Sequence, residues 1–510
     1  MSRKSKIILL TLLTSQMLLV YFLYAINDKT FASMRLKISK IINIGGAKTN
    51  STEGESTFFH SSFFDMIGWA ADASDELWNE TMASSTTQRD PQLNRSHEQG
   101  GSSLKRTVLT QTTNSPPTNP QPFQRIDDKN AWMYSAYFDH VAARQGKPAV
   151  RVFGIVHTSL LQPVYCNLSL GNTSLQVTAE MEGITEHHSR SHLASYVVCR
   201  LSANVQPTHV SLSYNSTSQP NNRLQIIYPG NLTRNFTVCY SVLFDNYNMA
   251  SLLLQNIEMH RILGAEHFMV YNYSISPAVN QILQRYQEDG LVTVLPWPVP
   301  TLEVHYYGQM AALNDCNYRN RNISRFVVVV DTDEFIIPRN SLSWMQLIDT
   351  ISPQERDVST FMHPSDPSKN GSTTTGSFDF RSCFFKSDLT PNWTALSSQF
   401  PFSDEERNNT LKFKFHTLSH FWRSTHIFPS NQRTKYIFRP EEVYVCGIHT
   451  VHVFAGNIKG IIVNDNMALV HHYRRWHFNV TVMDTSMLKF KNQLYPRLID
   501  QCKRFPSVFT

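Results

Sequence analysis

The 510-residue chain has seven cysteines and no Cys-x-x-Cys pair among them. That removes the usual spacing of a structural zinc site. Its lysines and arginines never gather into a run that could track a nucleic-acid backbone, although the formal net charge is +6. Charged residues make up only 17% of the chain. Long uncharged apolar stretches are also scarce, and the clearest is Ile7–Ile26, a run of 20 residues. At ~1.5 Å per residue it would reach about 30 Å, the thickness of a bilayer core. Arg3, Lys4 and Lys6 precede it. This pattern predicts a cytoplasmic tail at 1–6, one N-terminal transmembrane helix at 7–26, and a type II topology with the rest lumenal. A cleaved signal peptide is the competing reading, but the run is long for one and lacks a small-x-small cleavage site.

Fourteen Asn-x-Ser/Thr sequons fit a lumenal chain, among them Asn167, Asn215, Asn272, Asn322 and Asn408. The cysteines are Cys166, Cys199, Cys239, Cys316, Cys383, Cys446 and Cys502. An oxidising lumen allows up to three disulfides, with one thiol left over or paired between chains. Cys166–Cys199 is the expected pair, being local and in one strand-rich region. Length and an apolar content of 41% suffice for two folded domains.

Residues 27–128 read as a disordered stem. Thr112–Pro122 is dominated by Thr, Asn and Pro, which bury too little apolar surface to fold alone. Phe58, Phe59, Phe63, Phe64 and Trp69 form an apolar patch within it, suited to a short helix or to self-association. Residues 129–234 then turn to strand texture, as in Ala149–Val156, Tyr196–Leu201 and Val210–Tyr214, with polar turns between. We expect a small β-sandwich there, serving packing rather than carbohydrate binding.

From 235 to 510 strands alternate with helices. Val238–Phe244, His267–Tyr271 and Val292–Leu295 are strand-like. Asn248–Leu263, Val279–Tyr286 and Gly308–Asn320 have helical spacing, with Gly264 as a C-cap. This order predicts an α/β domain with a mostly parallel sheet. A fourth strand, Phe326–Val330, is wholly apolar and ends at Asp331-Thr-Asp-Glu-Phe335. Two carboxylates at the carboxyl end of a buried strand, pointing one way in an extended segment, can share a hard divalent cation, and the cation can hold a diphosphate. Two solvated acids in a turn are the bland alternative.

The β/α order resembles the GT-A (Rossmann-like) nucleotide-sugar transferase fold, and shorter blocks resemble glycosyltransferase family 92. Cys239–Tyr271 resembles the opening of that family. His305-Tyr-Tyr-Gly-Gln309 and Ala312–Cys316 follow, then Asp331–Phe335 with Pro338, Gly376–Phe385, Thr434–Val443, Gly447–His449 and His472–Arg474. The likeness covers roughly 236 to 480. It implies a UDP-sugar donor, a glycoprotein glycan acceptor and residence in the Golgi membrane. Characterised members make β1,4-linked galactose from UDP-galactose, so inversion at the sugar is expected, with Mn2+ or Mg2+ as cofactor. Terminal galactose is the first acceptor expected and core fucose the second. The same enzyme with another UDP-sugar, and a non-catalytic membrane-anchored lectin, are the alternatives. A homodimer is left open.

Within that frame Asp331 and Asp333 are expected to hold the metal, with His449 or His472 as a further ligand. Lys435, Arg439 and Arg474 are candidates for the diphosphate, since arginine offers a bidentate fork. Gln309 and Asn314, with Asp315, lie on the helix before the metal strand and are candidates for uracil or ribose. The general base that inversion requires is nominated as Asp379, with Asp404, Glu405 and Glu406 in reserve. Glu334 is expected to alternate away from the aspartates. Trp393, Trp422 and Trp476 are candidates to stack on acceptor sugar, and 365–377 reads as a loop over the site.

Overall fold

The computed structural model describes residues 123–352, 375–389, 391–396, 400–475 and 479–509. All lie in one compact unit, Thr110–Thr510. The expected transmembrane helix, most of the stem with its apolar patch, loop residues 365–374 and Trp476 fall outside the described residues. Among the described residues no helix is long and apolar enough to cross a membrane.

The chain first builds nine strands: β1 Gln124–Arg125, β2 Ala131–Asp139, β3 Ala149–His157, β4 Val164–Leu170, β5 Thr173–Ala179, β6 Met181–Gly183, β7 His192–Arg200, β8 His209–Ser213 and β9 Leu224–Ile227. They form one sheet, ordered β5-β4-β8-β9-β2-β3-β7-β6, with β1 beside β2. Strand β9 joins its two halves, antiparallel to β8 and parallel to β2. The sheet curls on itself, because Cys166 of β4 and Cys199 of β7, far apart in strand order, are disulfide-bonded. Leu168, Val197 and Leu212 fill the inside. The expected cysteine pair is therefore present.

A seven-stranded sheet follows, built from β10 Arg234–Tyr240, β11 Ala265–Asn272, β12 Val292–Pro296, β13 Ser324–Val330, β15 Thr375–Phe380, β18 Lys435–Phe438 and β21 Lys459–Ile462, in the order β12-β11-β10-β13-β18-β15-β21. The first four strands are parallel, and β18 then enters antiparallel between β13 and β15. Strand β13 is thus paired on both edges and buried on both faces, which is why Phe326–Val330 is apolar throughout. A second, five-stranded sheet has the order β14-β22-β16-β17-β23, with β14 Glu334–Pro338, β16 Ser382–Lys386, β17 Trp422–Arg423, β22 Ala468–Arg474 and β23 Val482–Met483. A hairpin of β19 Val443–Cys446 and β20 Val451–Phe454 completes the strands.

The fold expectation is corrected. The molecule is mixed α/β, composed mostly of strands with a curled sheet among the described residues, and not a mostly parallel α/β domain behind a two-layered sandwich. The helices at Ala250–Leu263, Pro277–Glu288 and Gln309–Asn320 do lie between parallel strands. After residue 330 the alternation stops, because the chain passes repeatedly between sheets, as from β13 to β14 and from β14 to β15.

Candidate active site at the junction of two sheets

Strand β13 ends at Asp331 and β14 begins at Glu334, so residues 331–333 carry the chain from one sheet to the other. The segment is a turn, closed by the Glu334 amide donating to the Asp331 carbonyl at 3.1 Å. The two aspartates therefore do not lie along one extended strand. Helix Ala250–Leu263 fixes the turn: Asn256 Nδ2 donates to the carbonyls of Thr332 at 3.0 Å and Glu334 at 2.9 Å. Tyr240 Oη anchors Asn256, and Tyr247 Oη donates to Thr332.

Asp331 faces the seven-stranded sheet. Its Oδ2 accepts from Lys435 Nζ at 2.8 Å, and its Oδ1 accepts from the Ser241 hydroxyl. Gln309 Nε2 donates to Ser241 at 2.7 Å, so the helix Gln309–Asn320 reaches Asp331 through one hydroxyl. Burial works against ionising Asp331, but Lys435 and Ser241 outweigh it and hold the carboxyl well below the usual range. Lys435 is 1% exposed and also lies 3.2 Å from Glu334 Oε2. Glu334 does not alternate away as expected. The turn brings its carboxylate back to accept the Asp331 amide at 2.9 Å. Burial, with Asp331 and Asp333 nearby, pushes Glu334 upward against the pull of Lys435.

Asp333 faces the five-stranded sheet. The Tyr473 amide donates to its carbonyl at 3.0 Å, and its Oδ2 lies 3.2 Å from His472 Nε2 and 3.5 Å from Arg474 Nε. Arg474 Nε donates to His472 Nε2 at 2.6 Å. Burial raises Asp333, but His472 and Arg474 outweigh it and hold it low. Burial pushes His472 down to about 4, leaving a neutral imidazole. Asp333 Oδ2 and His472 Nε2, 3.2 Å apart, have the spacing of two ligands about 2.1 Å from one ion at right angles, and an ion there would displace the Arg474 donor from Nε2. Among the described residues no three His, Cys, Asp or Glu side chains form a complete metal cage. Asp333 and His472 are thus two candidate donors and not a cage, and an imidazole donor would favour Mn2+ over Mg2+.

The other candidates divide. His449 lies in the β19–β20 turn, with Nδ1 3.3 Å from the Thr434 carbonyl, and burial, with Lys435 nearby, pushes its imidazole down to about 4. Asn314 spends its amide on the Met310 and Cys446 carbonyls and accepts the Cys446 amide, so it ties the hairpin to its helix. Asp315 is an anchor, accepting from Tyr137, Tyr271 and Arg319. Arg439 is not brought to the cluster. It follows the far end of β18, about 13 Å along the strand from Lys435, where it donates to the Thr375 carbonyl and lies over Phe326. Asp379 is 7% exposed, with Ser377 and Thr450 hydroxyls donating to its two oxygens at 2.8 Å each. Burial pushes its carboxyl upward. Asp404, Glu405 and Glu406 occupy a helix first turn, where Glu406 closes a capping box with Ser403. Trp393 packs on Phe402, and Trp422 is half-buried in β17.

Sequence reasoning missed Ser241, Asn256 and Glu334. Ser241 follows the last residue of β10, so the carboxyl-end rule applied to every parallel strand would have found it. Asn256 carried no signal, since a buried helical asparagine is recognised only by what it holds.

The model of glycosyltransferase family 92 matches residues 234–503, more than half of the chain. The chain belongs to glycosyltransferase family 92. The match contains every element of the two-sheet junction, from β10 to β22. Two relatives come from Caenorhabditis elegans. One is a glycosyltransferase family 92 protein, 29% identical over 224 residues, which are 41% of this chain and 43% of the relative. The other is a beta-1,4-galactosyltransferase, 24% identical over 375 residues, which are 70% of this chain and 77% of the relative. The chain thus spans under half the length of the first relative. The family resemblance expected from the motif blocks is borne out.

Proposed function

We propose that the chain transfers galactose from UDP-galactose, with inversion, to form a β1,4 link on a glycoprotein glycan. Terminal galactose is the first acceptor proposed, and the reaction takes place in the Golgi lumen. The similarity to a beta-1,4-galactosyltransferase over 77% of that protein supports the donor and the linkage. Two disulfides, Cys166–Cys199 and Cys239–Cys316, support an oxidising compartment.

The observation that carries the reading is the ring of charge around residues 331–334: three acids faced by Lys435, His472 and Arg474. Asp333 and His472 are the residues proposed to hold Mn2+ or Mg2+, whose chemistry is to neutralise the leaving diphosphate. Asp331, tied to Ser241 and Gln309, is oriented to take the donor's ribose hydroxyls. Arg474 adds a guanidinium beside Asp333, where phosphate oxygens would arrive. Asp379 is the proposed base. Its raised carboxyl is a stronger proton acceptor than an ordinary aspartate, and Ser377 and Thr450 hold its orientation.

The full-length chain, assayed with a panel of UDP-sugars against a glycan array with and without Mn2+, tests this. Transfer of galactose that is lost on chelation and in Asp333→Ala is expected. Turnover with another donor overturns the galactose assignment, and turnover that survives chelation overturns the metal. Asp379→Asn should leave donor binding intact and remove transfer.

A further inference from the structure

We infer that Glu186 is a positioning residue for the transfer reaction, through which the N-terminal curled sheet sets the place of His449 and of the Asp379–Thr450 pair. The inference rests on the proposed reading of the site.

Glu186 belongs to the segment between β6 and β7, outside the residues that match the family model. The Ile448 amide donates to Glu186 Oε2 at 2.8 Å, a contact between residues 262 apart in sequence. The same oxygen lies 3.2 Å from His452 Nε2. The receiving turn, 447–450, carries both groups of interest. His449 points its Nδ1 at the Thr434 carbonyl, next to Lys435. The Thr450 hydroxyl donates to Asp379. The turn has been cleared for this clamp. A Cβ on Gly447 would lie 2.2 Å from His452 Nε2, so only glycine lets the His452 ring pack there and meet Glu186.

The segment around Glu186 is also seated firmly. Ile184 is 3% exposed and packs in the same apolar cluster as Val304, Ile448 and Val451. On its other side the His188 ring stacks on His305 at 3.7 Å. His305 opens the turn through Tyr306, Tyr307 and Gly308, all with positive φ, that delivers Gln309 to Ser241 and so to Asp331. One segment of the curled sheet thus braces both walls of the charged cluster. Other links between the parts, such as Asp139 with Arg321, hold backbone away from these groups. Glu186 differs from them because the backbone it fixes is the backbone that presents candidate site groups.

The test compares Glu186→Ala with Glu186→Gln in the full-length chain. Glutamine keeps an oxygen for the Ile448 amide and alanine does not. In Glu186→Ala we expect kcat to fall about tenfold or more, donor KM to stay within about threefold, and amides 447–450 to exchange about tenfold faster. Glu186→Gln should recover kcat to within about threefold of wild type. A kcat within twofold in Glu186→Ala overturns the inference, as does a glutamine variant as impaired as alanine with equal loss of Tm. If the wild type transfers no sugar from any donor, the functional reading fails by itself. The exchange measurement then still decides Glu186, because unchanged protection at 447–450 overturns its positioning role.

Discussion

The seven-stranded and five-stranded sheets meet at residues 331–333 and hold their acids by different means. On the first, Asp331 is held by a buried lysine, a serine hydroxyl and a glutamine behind it, each from a different element. On the second, Asp333 is held by His472 and Arg474, two residues apart on one strand. The first set is a fixed cradle with its charge neutralised in the fold. The second sets a neutral imidazole and a partly exposed arginine against the acid, the group proposed above to meet a cation and phosphate. Two acids one residue apart thus acquire separate chemistry because a turn hands them to different sheets. The first sheet is also stapled, by Cys239–Cys316 between β10 and its helix, whereas Cys383 in the second is buried and free.

This contrast can be broken, starting with the largest effect. Asp333→Ala should lower kcat by about a thousandfold while leaving Tm nearly unchanged, as the proposed ligand-holding role of the second set requires. Steady-state kinetics beside a melting curve checks this, and a matching loss of Tm would erase the contrast. Lys435→Met should do the reverse first, costing about 4 kcal/mol in urea unfolding, since it strands Asp331 and buried Glu334 together. Cys239→Ser with Cys316→Ser should cost about 3 kcal/mol by the same measurement. A comparable cost from Cys383→Ser would show that the staple is not what distinguishes the first sheet.

The last effect concerns acid. His260 lies on the helix that fixes the turn and packs on Phe335 of the second sheet and on Trp344. Burial pushes its imidazole down to about 3, so the folded state keeps it neutral. A depressed folded pKa means the contribution is full above the unfolded value of about 6.5 and is lost as pH falls toward the folded one. The slope is at most about 1.4 kcal/mol per pH unit in that window. His260→Phe should flatten unfolding free energy between pH 6.5 and pH 4 relative to wild type. Parallel curves would remove His260 as the sensor.

What could be read from the residues follows the same division. The first sheet's parallel half was legible because each strand is closed locally by a helix, as Gly264 at φ 116° ends Ala250–Leu263 and β11 begins at the next residue. The aspartates were legible because a fully apolar strand must be paired on both edges, and polar residues after it mark its exit. The second sheet was not legible. Its partners are chosen across the chain, β14 with β22 and β16 with β22, and nothing in Glu334–Pro338 names residues 468–472. For the same reason Lys435 and Arg439 stood together as diphosphate candidates, while an extended strand carries them to opposite ends of β18. Glu334 was misread by assuming an extended segment where the chain turns.

The antiparallel insertion of β18 beside β13 sets an order on synthesis. The Phe326–Val330 edge finds its partner only when Lys435–Phe438 has been made, about a hundred residues later, and β14 waits longer still for β22. At about 5–20 residues per second, the most apolar strand of the molecule spends about 5–20 s with an open edge while still attached to the ribosome. A nascent chain stopped before residue 434 would keep that edge exposed indefinitely. Such a chain has every part of the double-aspartate segment and neither of the strands that give it shape.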